Sequence, residues 1–227
     1  MNAPKPRILV CDDEHQILRA LRVILRDAGF EAVPADSAEE ALDLAAVQPP
    51  DAAIVDLVLP DLDGVELCRR LREWSDMPII LLSAVGDEDA KVRALAAGAD
   101  DYITKPFGPR ELVARLDANL RRTSPEPEEA VIESDGLEVD LARREVLVDG
   151  HEVHLTPIEF DLLRLLIRNR GRLMTHRDLL VNVWGAGYGD DTQVLRAHIA
   201  NLRRKIEPAD GPRLIKTDPG VGYRFAG

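Results

Sequence analysis

The stretch DAAIVDLVLPD (residues 51–61) decides how the first half of the chain is read. Its apolar run reads as a buried strand, yet the run ends on a carboxylate, Asp56, before Leu57, Val58 and Leu59 resume the apolar character. An isolated ionised carboxylate is costly to bury and persists only when paired, hydrogen-bonded or bound to a metal. An open parallel α/β sheet offers such a setting, because functional groups collect outside the carboxyl ends of its strands.

Working outward from that strand, the first 122 residues alternate short apolar runs with helical patterns, as βαβ units do. The runs are RILVC (7–11), EAVPA (31–35), AAIVD (52–56), PIILLS (78–83) and DYIT (101–104). Between them apolar residues recur at helical spacing, as in Ile17, Leu18, Leu21, Ile24 and Leu25. Ser37 with Glu40 predicts a capping box, and Gly29 and Gly98 stand where helices should stop. Five strands and five helices predict an α/β doubly wound, five-stranded parallel sheet over residues 1–122.

RRTSPEPEEA (121–130) interrupts the pattern with Pro, Ser and acidic residues, so residues 123–130 read as a linker. Residues 131–227 differ in kind. Alternating stretches with Asp-Gly turns over 131–154 predict an antiparallel sheet. Helical patterns follow at 157–169, 175–184 and 191–206, and LIKTDPGVGYRF closes as a two-stranded ribbon.

A chain of 227 residues suits two domains, each large enough for its own core. Its two cysteines, Cys11 and Cys68, form neither a disulfide ladder nor a metal-ligand spacing, which fits a reducing compartment. With no apolar run of membrane-spanning length and no signal-like N-terminus, a cytoplasmic location without membrane attachment is expected. The formal net charge of −12 argues against indiscriminate nucleic-acid affinity, but it is unevenly spread. Basic residues number 15 against 23 acidic in 1–125, 5 against 12 in 126–170, and 9 against 6 in 171–227. Only the last segment is basic.

The predicted strand ends bring together Asp12, Asp13, Asp56, Ser83 and Lys105. Three converging carboxylates repel one another and call for a divalent cation, and oxygen ligands with room for water suit Mg²⁺. Lys105 supplies a mobile positive charge and Ser83 a hydroxyl donor for phosphoryl oxygens. Asp56 then reads as the nucleophile of a phosphoryl transfer.

The segments CDDEHQ, IVDLVLPDLDGVELCRRLR, PIILLSA and GADDYITKPF resemble the flavodoxin-like receiver domain of two-component response regulators. The resemblance implies that a sensor histidine kinase phosphorylates Asp56 from a phosphohistidine. It also implies that Asp13, Asp56 and the Val58 backbone carbonyl hold Mg²⁺, with Asp12 acting through water, and that Ser83 and Tyr102 form the switch pair. Homodimerisation on phosphorylation would use Lys91 with Glu111, Asp101 with Arg115, and Asp100 with Arg122, around Val92, Leu95 and Ala114.

In DDTQVLRAHIANLRRKIEP, Leu195, Ile199, Leu202 and Ile206 form an apolar stripe, with Gln193, Arg196, Ala197, Ala200, Asn201 and Arg204 opposite. Small residues beside Gln, Arg and Asn suit a major groove. The stretch from LTPIEFDLLRLL to DPGVGYRF resembles the winged helix-turn-helix DNA-binding domain of the OmpR/PhoB class. Carried over, Gln193, Arg196, Asn201 and Arg204 are base-edge candidates, and Arg203, Lys205, Lys216, Thr217 and Arg224 are phosphate or minor-groove candidates. The class implies double-stranded DNA with direct-repeat sites and RNA polymerase as partners. Within it, the quoted stretches are most similar to regulators of potassium-transport operons, with phosphate-type regulators as the alternative. An aspartyl-phosphate phosphatase is the rival from another class. Such enzymes usually carry a second acid two residues after the nucleophile, where this chain has Val58, so a transcription regulator and not an enzyme is expected.

Overall fold

Strand formation in the first half follows the β-branched and aliphatic runs foreseen from the sequence. The computed structural model describes residues 5–84, 88–121, 131–134, 136–185, 188, 192–207 and 213–226; side chains of residues 88–91 and 121 are not included. The chain divides into two compact units, Met1–Thr123 and Ser124–Gly227. The expected linker, residues 123–130, lies outside the described residues.

In the first unit β1 (Arg7–Cys11), α1 (His15–Asp27), β2 (Glu31–Ala35), α2 (Ala38–Val47) and β3 (Ala52–Asp56) are followed by α3 (Gly64–Arg72), β4 (Ile79–Ala84), α4 (Glu88–Ala96), β5 (Asp101–Lys105) and α5 (Pro109–Arg121). The sheet is parallel, in the order β2-β1-β3-β4-β5. Strand β3 is buried along its whole length, as a strand covered on both faces must be. Ile8, Val10, Ile54, Ile80, Leu82 and Ile103 pack in one cluster with Leu21 and Leu25 of α1 and Leu112 and Leu116 of α5. Leu9, Cys11, Ala53, Val55 and Leu81 have the opposite parity and are also buried. The strand order reverses between β1 and β3, which opens a crevice at their carboxyl ends. Register brings Cys11 beside Val55, Asp56 beside Leu82 and Ser83 beside Thr104, so those ends lie in one row.

Gly29 and Gly98 both take positive φ, +94° and +100°, directly after α1 and α4. At α2, Ser37 accepts from the Glu40 amide at 3.4 Å, while the Glu40 carboxylate reaches the amide of Asp36, one residue before the cap. A second cap comes from the loop after β3. Asp61 accepts from the amides of Ala38 and Glu39 at 3.0 and 2.9 Å.

The second unit opens with an antiparallel sheet of β6 (Val131–Ser134), β7 (Leu137–Asp140), β8 (Glu145–Val148) and β9 (His151–Glu152). Asp149 and Gly150 both have positive φ, as the two-residue turn between β8 and β9 requires. Helices α6 (Pro157–Arg168), α7 (His176–Trp184) and α8 (Thr192–Ile206) follow. Thr156 and Glu159 form a capping box at α6, with Pro157 in its first turn. A short strand β10 (Met174–Thr175) pairs with β12 (Gly222–Phe225), which pairs with β11 (Ile215–Asp218). The expected two-stranded ribbon is therefore a three-stranded sheet. Two residues are too few to show a strand periodicity, and Thr175 reads equally well as the helix cap that it also is.

Two substitutions test these features. Asp61 is held below the ordinary carboxylate range by the Ala38 and Glu39 amides. A depressed folded-state pKa contributes stability above the unfolded value, lost as pH falls through the folded one. Asp61→Ala, which removes the cap as well, is expected to lower the thermal midpoint at neutral pH by the equivalent of about 1 kcal/mol. The gap to the parent should narrow in strong acid. A Cβ on Gly222 would lie 1.9 Å from the Met174 carbonyl oxygen and 2.8 Å from the Thr175 Cα. Gly222→Ala should cost the second unit about 1–3 kcal/mol in denaturant unfolding.

Candidate functional site

Asp12 directly follows β1 with 0% exposure, Asp56 ends β3 with 8%, and Asp13 is exposed beside them. One oxygen from each lies within 4.8 Å of the others. Lys105, at the end of β5, brings Nζ to 2.7 Å from Asp12 Oδ2 and 3.0 Å from Asp56 Oδ1. Asp12 Oδ1 accepts from the Glu14 amide at 2.9 Å, and the Glu14 carboxylate lies 3.9 Å from Lys105 Nζ. The cluster holds three aspartates, with Glu14 at its edge, against one ammonium.

The loop after Asp56 is folded tightly over this row. The Gly64 amide donates to Leu57 O at 2.9 Å, Val58 bridges Asp63, and Asp63 caps α3 by accepting from the Val65 amide. A Cβ on Gly64 would sit 2.1 Å from the Asp56 carbonyl oxygen, so only glycine allows this approach.

Burial raises the Asp56 carboxyl above its ordinary value, while the hydrogen bond and charge of Lys105 oppose the rise. Burial alone would lower Lys105, but its bonds to Asp12 and Asp56 prevail and raise it. Lys105 thus offsets part of the burial of Asp56, and the two aspartates more than offset the burial of Lys105. Ser83 is 1% exposed and its Oγ has no hydrogen-bond partner among the described residues. A buried hydroxyl without a partner is unfavourable. The two cysteines are poor nucleophiles, because burial pushes both thiols up to about 12.

This donor set fits a divalent cation. Oxygen ligands from Asp12, Asp13 and Asp56 carry excess negative charge, and the exposed Asp13 leaves one side open to water and phosphate. Bound there, Mg²⁺ would neutralise charge on a phosphoryl group.

In the second unit, α8 buries two adjacent stripes, Leu195, Ile199, Leu202 and Ile206 together with Val194, His198 and Asn201. Asn201 is a correction to the sequence reading. It lies seven residues, nearly two full turns, beyond Val194 and so faces inward, 5% exposed, with Oδ1 accepting from Arg204 at 3.0 Å. Arg196, Ala200 and Arg204 are exposed, and Gln193 and Ala197 are half-buried. Arg196 has no ion-pair partner among the described residues.

Four of the expected phosphate contacts make hydrogen bonds or ion pairs within the unit. Arg203 donates to Ile215 O at 2.6 and 3.1 Å and to Thr217 Oγ1 at 2.8 Å, and lies over the Tyr223 ring. Lys205 pairs at 2.7 Å with the buried Glu159 of α6, and Arg224 pairs at 3.1 Å with Asp218. Lys216 and Thr217 remain exposed on β11.

Family models for the response regulator receiver domain and for the C-terminal part of transcriptional regulatory proteins match residues 8–117 and 150–225. The chain is a DNA-binding response regulator of the OmpR/PhoB class. It is 49% identical over 221 residues to the transcriptional regulatory protein KdpE of Mycobacterium tuberculosis, covering 96% of this chain and 98% of that protein. Identity to KdpE of Escherichia coli is 45% over 224 residues, again 96% and 98%. The solved structure of DrrB, a Thermotoga maritima OmpR/PhoB homolog, is 31% identical and matches with a TM-score of 0.53, over 99% of this chain and 100% of that one. No helix among the regulator's described residues is long and apolar enough to cross a membrane.

The expected dimer residues of the regulator divide into two groups. Val92, Ala114 and Glu111 are exposed on α4 and α5. Leu95 is buried, because it lies on the side of α4 that packs on the sheet. Asp100 is 2% exposed, pairs with the buried Arg72 and accepts from the Ile79 amide, so it faces inward instead of toward a second copy. The pairing of Asp101 with Arg115 is made within one chain at 3.2 Å, and Arg115 also binds Glu111 at 3.1 Å. The Lys91 side chain and Arg122 lie outside the described residues. Tyr102 is buried on β5.

Sequence reasoning missed the Asp61 cap, the Arg72–Asp100 pair and the Gly64 contact. Only the last had a local signal, a glycine directly after an aspartate at a helix start. If the acidic row holds Mg²⁺, millimolar Mg²⁺ should raise the thermal midpoint of the regulator, and Asp13→Asn should remove most of that increment without unfolding the chain. Calorimetric scans with and without the ion measure both.

Proposed function

We propose that the regulator is switched by phosphorylation of Asp56. A carboxylate oxygen attacks the phosphorus of a phosphohistidine on a sensor kinase, the P–N bond breaks, and the imidazole leaves with a proton. Lys105, already 3.0 Å from Asp56, holds one phosphoryl oxygen. Ser83 donates to another, which gives its buried Oγ the acceptor it lacks. That unpartnered hydroxyl, directed by β4 to the same row of strand ends, is the observation that carries the reading. Asp13, Asp56 and the Val58 carbonyl would hold Mg²⁺, with Asp12 acting through water.

Phosphorylation adds about −1.5 to −2 charges and three acceptor oxygens. Ser83 and Tyr102 then form the switch pair, and the changed face of α4, β5 and α5 pairs two copies through Val92, Ala114, Glu111 and Arg115. Exposed ion pairs are worth only ~0–1 kcal/mol each, so they set register more than affinity. The dimer binds direct-repeat promoter sites in the cytoplasm and engages RNA polymerase. Gln193, Arg196 and Arg204 meet base edges, while Lys216 and Thr217 lie on backbone phosphate. Similarity to the two KdpE proteins supports potassium-transport genes as the target. The chain performs no sustained turnover; its acyl phosphate undergoes only slow self-hydrolysis.

Light scattering with beryllofluoride, a phosphoryl mimic, tests the switch. The parent should pass from monomer to dimer, and Asp56→Asn should stay monomeric while remaining folded. A parent that remains monomeric, or an Asp56→Asn variant that dimerises equally, overturns the reading.

A further inference from the structure

The residues assigned to DNA contact all come from α8 and the final hairpin, but the structure places a third element against them. His176 is the first residue of α7, and its amide donates to Val221 O in the β11–β12 turn at 2.9 Å. Its ring lies 5.5 Å from the Tyr223 ring of β12. Arg196 of α8, exposed and without an ion-pair partner among the described residues, is close enough to act electrostatically on the imidazole. In a helix-turn-helix the second helix enters the major groove and the first crosses the sugar-phosphate backbone. Docked in that way, the start of α7 lies against the sugar-phosphate backbone.

We propose that His176 is a proton-linked phosphate contact, so that the regulator's DNA affinity rises as the imidazole becomes charged. This rests on the DNA-binding assignment and extends it to a residue on the first helix.

The surroundings of His176 are suited to this. Partial burial, and then the positive charge of Arg196, hold the imidazole below its ordinary value in the free protein. Tyr223 is a neutral phenol raised further by its own burial, and Arg203 lies over its ring. The carboxylates on these elements are engaged elsewhere, Asp178 with the Thr175 amide and Asp218 with Arg224. Arg177, the next residue of α7, is exposed and adds a second positive charge. A DNA phosphate brought beside His176 adds a negative charge that opposes the positive field of Arg196. The pKa of His176 is then higher in the complex than in the free chain, so binding strengthens as pH falls through that interval.

Fluorescence anisotropy with a labelled mixed-sequence duplex at low salt, scanned from about pH 8 to about pH 5.5 around the ordinary histidine value, measures this. For the parent, a rise of one pKa unit on binding means about tenfold tighter association at the acid end. His176→Gln should lose that increment, and the slope of log affinity against log salt at acid pH should fall by about one. His176→Arg should bind tightly across the range with the increment absent. All three proteins must share one thermal midpoint within a few degrees. A His176→Gln profile that parallels the parent in both pH and salt dependence overturns the proposal. Loss of binding in all three proteins alike would overturn the DNA-binding surface itself.

Discussion

Two carboxylates, Asp12 and Asp56, stand at the ends of adjacent strands with almost no solvent, and the ammonium of Lys105 bridges them from the far side of β4. Buried like charges are tolerable only if a counter-charge reaches both, and a lysine can do so because its stem is long and its head compact. This requirement fixes much of the first unit. The sheet must present β1, β3 and β5 with their ends level, and the loop after β3 must close without a side chain at Gly64. The same arrangement leaves a surplus of negative charge and a buried Ser83 hydroxyl with no partner among the described residues.

What the sequence made legible follows from the range of each interaction. The five parallel strands were visible because each is a local apolar run, and the acidic row because strand ends are predictable once the strands are known. Interactions between residues far apart in the chain were not visible. Asp61 caps a helix that begins 23 residues earlier, and Arg72 meets Asp100 across 28 residues. Nothing in a one-dimensional pattern distinguishes these from solvated charges. Asn201 was misplaced for a different reason. A helix packed on two sides buries two stripes, and the second stripe, Val194, His198 and Asn201, contains polar residues that hydropathy alone assigns to water.

The charge distribution takes on meaning once the second unit is resolved into faces. The chain as a whole is acidic, at −12, and a uniformly negative surface would be repelled by DNA. Its last segment concentrates positive charge on α8 and the hairpin, while Lys205 and Arg224 are neutralised by Glu159 and Asp218. Among the described residues of α8 and the hairpin, Arg196, Arg204 and Lys216 are the cations left outward. A binding surface with few uncompensated cations on an acidic body discriminates against loose electrostatic association and depends more on shape.

Arg203 shows how that shape is kept. Its guanidinium joins the last turns of α8 to β11 by hydrogen bonds to Ile215 O and Thr217 Oγ1 and lies over Tyr223 of β12. The helix and the hairpin are therefore one rigid calliper instead of two independent fingers. A calliper does not mould itself to its object. Wherever the two jaws meet adjacent grooves, the DNA must already have, or must adopt, the matching groove separation, and sequences that bend or narrow cheaply to that gauge gain an advantage at base pairs the protein never touches.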